Sequence, residues 1–559
     1  FYRITCDQLK DKIQGGLLGQ IIGNLNGLPH EFIYFNEPGT VEEYTPSLPD
    51  GGRTDDDTDI EWVHIYYMQK YDTLYLSPDQ MIDAWKKNMN GKIYTGNYHA
   101  RQLMDIGIKP PQTGQQVFNP FAHFGLSGSF LCEVYGLISP GMSCTASDIG
   151  TYYTSIQVEG EPLQVTQLVT SMISLAFFRD DIEELVKAGL TAVDPESELY
   201  GTVDSILNWY HRYPDDYKLT RHKIKDNYYT TSLPEKINDI QYNVSLANTA
   251  CMLAGLLYGQ GDFPETLRII FNLGWDADCN AATAGTILGV MKGRRWIMEQ
   301  GWDIKDRYLN TTRDEMPEDE TITSYGDRLI DLAEKVILSR GGKMKHRRSG
   351  TTYAIPAEPV QNTIKLEHSI DHLNELRSSM RDDIIKDMTD SAGMTDKKAQ
   401  AAYYAVCLEL AEEIKTGYPV AWSRAVEALD HYPRLLYSIL YPKYPMAYRI
   451  RDLAVTAGID MPVIKPSLSG NVEFILDDNY PEAKQIFVYG NFNHYSKFET
   501  LFGRENGKWI CRVSLKPGRY NYLFLLLNKD GTQTWLFDPG NHNRGRHTDG
   551  YEYSFLVVE

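Results

Sequence analysis

The segment GGRTDDDTDIEW, residues 51–62, sets Asp55, Asp56, Asp57, Asp59 and Glu61 within seven positions. From Thr58 onward Ile60, Val63 and Tyr67 recur at helical spacing, so the acids occupy a loop and the first turn of a helix. A single aspartate there is a cap, satisfying unpaired backbone N–H groups and complementing the helix dipole. Three in succession exceed that need, and like charges so close require a cation or strong screening. Clustered carboxylate oxygens at short spacing suit hard divalent ions, magnesium first and calcium second. A second candidate lies far along the chain in LGWDADCNAATAG, where Asp276 and Asp278 follow a glycine and head a helix of small residues. If these two acid-headed helix starts face each other, they form a cage for one or two divalent ions.

The elements that must carry these acids are helices. CDQLKDKIQGGLLGQIIGNLNG repeats Leu9, Ile13, Leu17, Ile21 and Leu25 at helical spacing, with Gly15, Gly16 and Gly19 between them. An interior glycine costs a helix about 1 kcal/mol relative to alanine, so several in one apolar helix point to close backbone packing. PLQVTQLVTSMISLAFF and VSLANTACMLAGLLYG read as further buried helices, and Ala281, Ala284, Leu288 and Met291 share a face after Asp278. Residues 1–340 therefore read as an all-helical domain, and 341–465 as an irregular linker with a helical extension. Residues 466–559 are short strands separated by turns such as KPGR and NKDG, the pattern of a β-sandwich. The expected fold class is mainly α with a terminal β-sandwich.

Composition narrows the function. The 559 residues are 42% hydrophobic and 23% charged, enough to bury a sizeable core. A net charge of −20 argues against a nucleic-acid polymer as partner, since such a binder presents a basic stripe. The short basic run Lys343–Arg348 sits beside Gly341 and Gly342 and reads as a solvated linker. Seven scattered cysteines without a CxxC argue against zinc ribbons and disulfide scaffolds. No apolar run approaches the roughly 18 residues that span a bilayer. With Phe1 at its start, the chain is expected to be secreted or periplasmic ahead of cytoplasmic.

Three landmarks, in order, resemble the ADP-ribosylglycohydrolase family. GGLLGQIIGNLNGLPHE is similar to its opening glycine-rich helix, which ends in an acid, here Glu31. DDDT at 55–58 is similar to its Thr-Asp-Asp-Thr motif, and WDADCNAATAGTILG to its late Asp-x-Asp-Thr-Asn-Ala-Ala motif. The resemblance spans roughly residues 5–340. It implies an all-helical domain with two adjacent magnesium ions held by Asp55, Asp56, Asp57, Asp276 and Asp278, and with Glu31 near the scissile sugar as the catalytic acid or base. The chain departs from the pattern in three places. Asp55 and Cys279 replace threonines, and sulfur is a poor ligand for a hard cation. In FGLSGSFLCEVYG, Cys132 and Glu133 stand where the family often has a Met-Arg pair; Glu133 is expected to be a second catalytic carboxylate that disfavours a diphosphate. Gly128, Ser129 and Cys279 are expected beside the substrate.

The terminal strands resemble the early-set sandwich of glycogen- and starch-binding modules, in which Tyr495 and Trp535 hold the sugar-stacking positions. Aromatic faces stack on the apolar faces of sugar rings. The leading expectation is a metal-dependent glycoside hydrolase cleaving a glycosidic bond, a furanosyl one among the options, of a glycan or glycoside. The alternatives are an O- or N-linked ADP-ribosyl glycohydrolase and a non-catalytic sugar or nucleotide binder.

Overall fold

A computed structural model describes the chain apart from residues 232–239, 243, 349, 443 and 547–550. Helices dominate as far as Thr456, and strands dominate beyond it.

The first helix, Cys6–Gly27, opens on a capping box in which Thr5 and Gln8 satisfy each other's backbone N–H groups. Its glycines have a positional meaning. Gly15, Gly19, Gly23 and Gly27 recur every fourth residue and form one stripe against the helix Ala277–Lys292. A β-carbon on Gly15 would strike the Gly289 carbonyl, one on Gly19 the Gly285 carbonyl, and one on Gly23 the Ala281 carbonyl. The two helices therefore meet backbone to backbone, and the stripe ends where Gly27 faces the α-carbon of Asp278. The acid helix, Asp56–Lys70, packs near this pair. Just before it, Gly52–Arg53 runs parallel to Tyr308–Leu309, and Thr54 N–H donates to the Leu309 carbonyl at 2.8 Å.

The main core draws on residues from Ile4 to Ile355, joined by Ala447 of the helical extension. The helices between Leu373 and Thr456 have a second core, which also includes Leu103, Ile106, Ile108, Val117 and Phe118. The helical extension is thus anchored by apolar residues of the first 120 positions rather than closed on itself. Lys343–Arg347 departs from the expected linker. It is an edge strand paired with Gly350–Ile355, which pairs in turn with Tyr2–Thr5. Exposed lysine and arginine on an edge strand discourage pairing with another chain, so a basic run is compatible with a strand there.

Residues from 472 onward form antiparallel sheets. One has the order Ala483–Gly490, Gly518–Asn528, Glu552–Val558, Arg544–Arg546, with Gln533–Leu536 on the second of these; the other is Gly503–Glu505, Lys508–Val513, Val472–Asp477. Trp509, Tyr522 and Phe524 are buried between them.

A carboxylate-lined candidate active site

Asp55 occupies the N-cap position of the acid helix, and Asp276 that of Ala277–Lys292, yet neither side chain makes a capping hydrogen bond. Capping therefore does not explain them. The two helix starts meet. Carboxylate oxygens of Glu31, Asp276 and Asp278 lie within 4.8 Å of one another, as do those of Asp55, Asp56 and Asp57. Asp57 and Asp278 likewise converge with the Cys279 sulfur, which joins the two acidic segments. Two full charges at such a separation repel by about 3 kcal/mol at an effective dielectric near 20. That exceeds the roughly 1 kcal/mol a cap contributes, so several charges of one sign here need a counter-charge or must take up protons.

The protein's own neutralisation is small. Asp59 pairs with Arg313 at 2.7 Å, both side chains fully buried, and accepts from Thr312 at 2.5 Å. Asp55 has Arg53 at 3.7 Å. Among the described residues, Asp56, Asp57, Asp276, Asp278 and Glu31 form no ion pair with lysine or arginine. Asn24, on the glycine-rich helix, donates to Asp57 Oδ2 at 2.8 Å and Asp55 Oδ1 at 3.1 Å, and lies 3.5 Å from Asp278 Oδ2. Its amide has two hydrogens and cannot satisfy three oxygens. Asp57 Oδ1, Asp276 Oδ1 and Asp278 Oδ1 are buried and accept no hydrogen bond from a described residue. Buried carboxylate oxygens without donors, converging from two helix starts, fit a divalent cation.

The protonation equilibria follow from the same crowding. Burial, then the Asp276 and Asp55 charges, push the Glu31 carboxyl up to about 8. Burial followed by neighbouring carboxylates also holds Asp56, Asp57 and Asp278 well above the ordinary range. Burial and the charge of Asp276 raise the Cys279 thiol, so it is a neutral neighbour rather than a nucleophile.

Backbone geometry positions the two acids that come from loops. Phe32, after Glu31, and Trp275, before Asp276, both have left-handed φ, 51° and 56°, a costly state for bulky residues. They are tied together by Phe32 N–H donating to the Trp275 carbonyl at 2.6 Å. Buried Arg221 staples the same junction. Its Nε donates to the Leu273 carbonyl at 2.6 Å, its Nη2 to the Tyr34 and Phe35 carbonyls at 3.1 and 2.7 Å, and its guanidinium covers the Trp275 ring at 3.3 Å. Arg313 does similar work on the opposite wall, donating to the Gly91 and Lys92 carbonyls at 2.8 and 2.9 Å.

These acids line one cavity of about 730 Å³: Glu31, Asp55, Asp56, Asp57, Asp276 and Asp278, with Cys279 beside them. Apolar walls come from Phe121, Phe124 and Phe130, and polar atoms from Tyr94, Asn97 and Thr312. Tyr551 of the terminal sandwich also reaches it. Other expected site residues lie elsewhere. Gly128 is packed against the Pro162 backbone, and Ser129 Oγ donates to the Leu126 carbonyl at 2.9 Å; it is their neighbours Ser127 and Phe130 that face the cavity. Glu133 does not line the cavity. It is fully buried, accepting from Thr283 at 2.6 Å and from the Cys132 N–H at 3.1 Å, beside the equally buried Glu61. Burial raises it to about 7. It therefore bears on no substrate charge, and the expected argument against a diphosphate loses this support. Tyr495 and Trp535 line a second cavity of about 400 Å³.

Sequence reasoning missed Arg221, Arg313, Lys92 and Tyr94. Asn24 was legible in principle, because Gln20 and Asn24 are polar residues one turn apart in an otherwise apolar, glycine-rich helix. Arg221 left no signal, since it acts through backbone carbonyls. A search against curated proteins returned no match. The ADP-ribosylglycohydrolase family model matches residues 5–343, which include every carboxylate of the cavity. The chain belongs to the ADP-ribosylglycohydrolase family, which implies a hydrolase acting on glycosyl bonds.

Proposed function

We propose that the protein is a metal-dependent glycoside hydrolase that cleaves a glycosidic bond, furanosyl in the simplest case, of a glycan or glycoside. The observation that carries this reading is the convergence of six carboxylates, five of them without a basic partner among the described residues, in one cavity walled by aromatic rings. Asp55, Asp56, Asp57, Asp276 and Asp278 would hold one or two cations; their all-oxygen donor set suits magnesium and also accepts calcium. When bound, the cation supplies charge neutralisation and Lewis-acid polarisation of substrate oxygens.

Glu31 is the proton-transfer group in this reading. Its carboxyl, pushed up to about 8 by burial and the neighbouring Asp276 and Asp55 charges, holds a proton at neutral pH in the metal-free protein and can donate it to a leaving oxygen; the carboxylate left behind can then accept a proton from attacking water. An oxocarbenium-like transition state is positive at the anomeric carbon, and any carboxylate charge that the cations leave uncompensated favours it electrostatically. Phe121, Phe124 and Phe130 offer apolar surface that displaces water from the sugar faces. Glu133 acts from behind the site as a buried support of Thr283 and the Cys132 backbone.

A second reading, ADP-ribosyl glycohydrolase, is favoured by the family itself and by Arg53 and Lys92, two cations on the cavity wall that suit a diphosphate. A panel of aryl glycosides and O- and N-linked ADP-ribosylated protein, each with and without chelator, separates the two. Chelator-sensitive release from glycosides alone supports the first; release from ADP-ribosylated protein alone supports the second. Metal-dependent binding without release from any substrate overturns both in favour of a binder.

A further inference from the structure

The cavity of about 400 Å³ beside the carboxylate site is built from four parts of the chain: the 91–98 segment, Phe121, the helix Pro433–Leu440 with Tyr441, and the terminal sandwich. It adjoins the carboxylate cavity, because Lys92, Tyr94, Thr95 and Phe121 line both. We infer that it is the distal subsite of the same cleft and takes the sugar residues of an oligosaccharide that extend away from the scissile bond; the inference rests on the glycan reading above.

Several observations point to a sugar. Tyr437, Tyr441, Tyr489, Tyr495 and Trp535 supply its walls. Trp535 is 41% exposed and Tyr441 58%, a large apolar surface for rings that could have been buried. Tyr489 is inclined by 54° to Tyr495 and by 71° to Trp535, while Tyr437 and Tyr441 stack within 26° of parallel, so the wall presents ring faces in several directions. Each exposed ring face can take the C–H face of a sugar ring, and binding of AMP is the outcome that would show a flat base instead. Polar atoms join the wall through Arg434, held by Glu499 at 2.6 Å, while the Tyr495 hydroxyl is tied at 3.0 Å to buried Asn521 Oδ1, which fixes the ring. Glu499 matches the Arg434 charge, so this pair offers hydrogen bonds to hydroxyls; Lys92 and Lys497, also on the wall, lie 4.3 Å from the Tyr495 ring and 5.6 Å from the Trp535 ring, respectively.

The backbone is spent on aiming these rings. His494 and Tyr495 are consecutive left-handed residues, at 52° and 57°, and Thr95, on the shared wall, is another at 43°. Such states are uncommon for non-glycine residues, and outliers for bulky or β-branched ones, and cluster at binding sites. They bring the Tyr495 ring to 4.3 Å from Lys92 Nζ, joining the sandwich to the segment that lines both cavities. The sandwich thereby completes the catalytic cleft instead of acting as a separate tether to a distant surface.

The test is calorimetric titration of the whole protein in EDTA, where turnover is silent, with maltotetraose, xylotetraose, α-1,5-linked arabinotetraose and AMP. At least one tetrasaccharide should bind, and its affinity should fall at least about tenfold in Trp535→Ala and in Tyr441→Ala. Both side chains are substantially exposed, so thermal unfolding should show the variants folded. Binding of no tetrasaccharide, equal binding by both variants, or binding of AMP alone would overturn the inference. Restoring Mg²⁺ separates the two readings. A bound tetrasaccharide that is never cleaved counts against the hydrolase and leaves the subsite standing, while cleavage of a short aryl glycoside with no tetrasaccharide binding does the reverse.

Discussion

Replacing Gly27 with alanine tests whether the glycine stripe assembles the carboxylate site. Gly27 has ordinary helical angles, φ −77° and ψ −32°, so an alanine there suffers no backbone strain and any effect is steric. Its β-carbon would sit 2.5 Å from the Asp278 α-carbon, 2.9 Å from the Asp278 nitrogen and 3.0 Å from the Ala277 oxygen. All three are backbone atoms, with no flexible side-chain end to yield. Carbon atoms pack at about 3.5–4 Å, so the start of the Asp278 helix must retreat by about 1 Å. Overpacking of this kind costs about 1–3 kcal/mol, partly offset by alanine's advantage of up to about 1 kcal/mol in a helix. The net loss of stability should be about 1–2 kcal/mol, a shift of only a few degrees in a protein of this size. The effect on the cation should be larger in consequence, because ligand distances are held to within about 0.2 Å. Calorimetric titration with Mg²⁺ should therefore show affinity at least about tenfold below wild type. Gly201 is the control: it lies in the helix Glu198–Arg212 with nothing within 4 Å of a β-carbon, so Gly201→Ala should bind Mg²⁺ normally and be neutral to slightly stabilised. Wild-type Mg²⁺ affinity in Gly27→Ala would refute the claim that backbone contact along this stripe sets the position of Asp278.

Arg221→Lys keeps the charge but loses the planar fork that holds three carbonyls; it should cost about 2 kcal/mol in urea denaturation and weaken Mg²⁺ binding, whereas unchanged binding would remove Arg221 from the positioning of Glu31 and Asp276. Cys279→Thr replaces a neutral thiol beside Asp57 and Asp278 with a hard oxygen donor and should tighten Mg²⁺ binding severalfold, with an equal or lower affinity counting against Cys279 as a ligand-shell neighbour. His99 is buried, 2.9 Å from Ser438 Oγ and 2.8 Å from the Tyr403 hydroxyl, and burial lowers its pKa to about 3. The unfolded chain protonates near 6.5 and the folded chain only near 3, so this contribution is full above pH 6.5 and is lost as the pH falls. The stability margin of wild type over His99→Gln should shrink by about 1.4 kcal/mol per pH unit between about pH 6 and 4, and parallel pH curves would contradict the assignment.

The candidate site was readable to the extent that it is made of local signals. Asp55 to Asp57 and Asp276 with Asp278 announce themselves because each group is contiguous or nearly so and heads a helix. Glu133 misled because a carboxylate in a loop motif looks the same in sequence whether it faces a cavity or a buried threonine. Ser129 and Phe130 are adjacent residues with opposite fates, and only the turn of the 126–130 backbone separates the one bonded to Leu126 from the one facing the cavity. The basic run at 343–348 misled for another reason: its strand is stabilised by pairing with Gly350–Ile355 and, through it, with the first residues of the chain.

The amino-acid order alone carried the helical character of residues 1–340 and of most of 365–455, the sandwich strands, the close packing implied by glycines in the first helix, and the two acidic helix starts. Periodicity, turn chemistry and charge crowding all act within a few residues, so they survive in one dimension. Three-dimensional packing alone let the stripe bring Asp278 to Asp57, set Arg221 and Arg313 to fix the walls through backbone carbonyls, and placed Tyr551, Tyr495 and Trp535 on cavities shared with the helical part of the chain. Those outcomes depend on contacts between segments hundreds of residues apart, where the interacting groups are often backbone atoms that every residue shares.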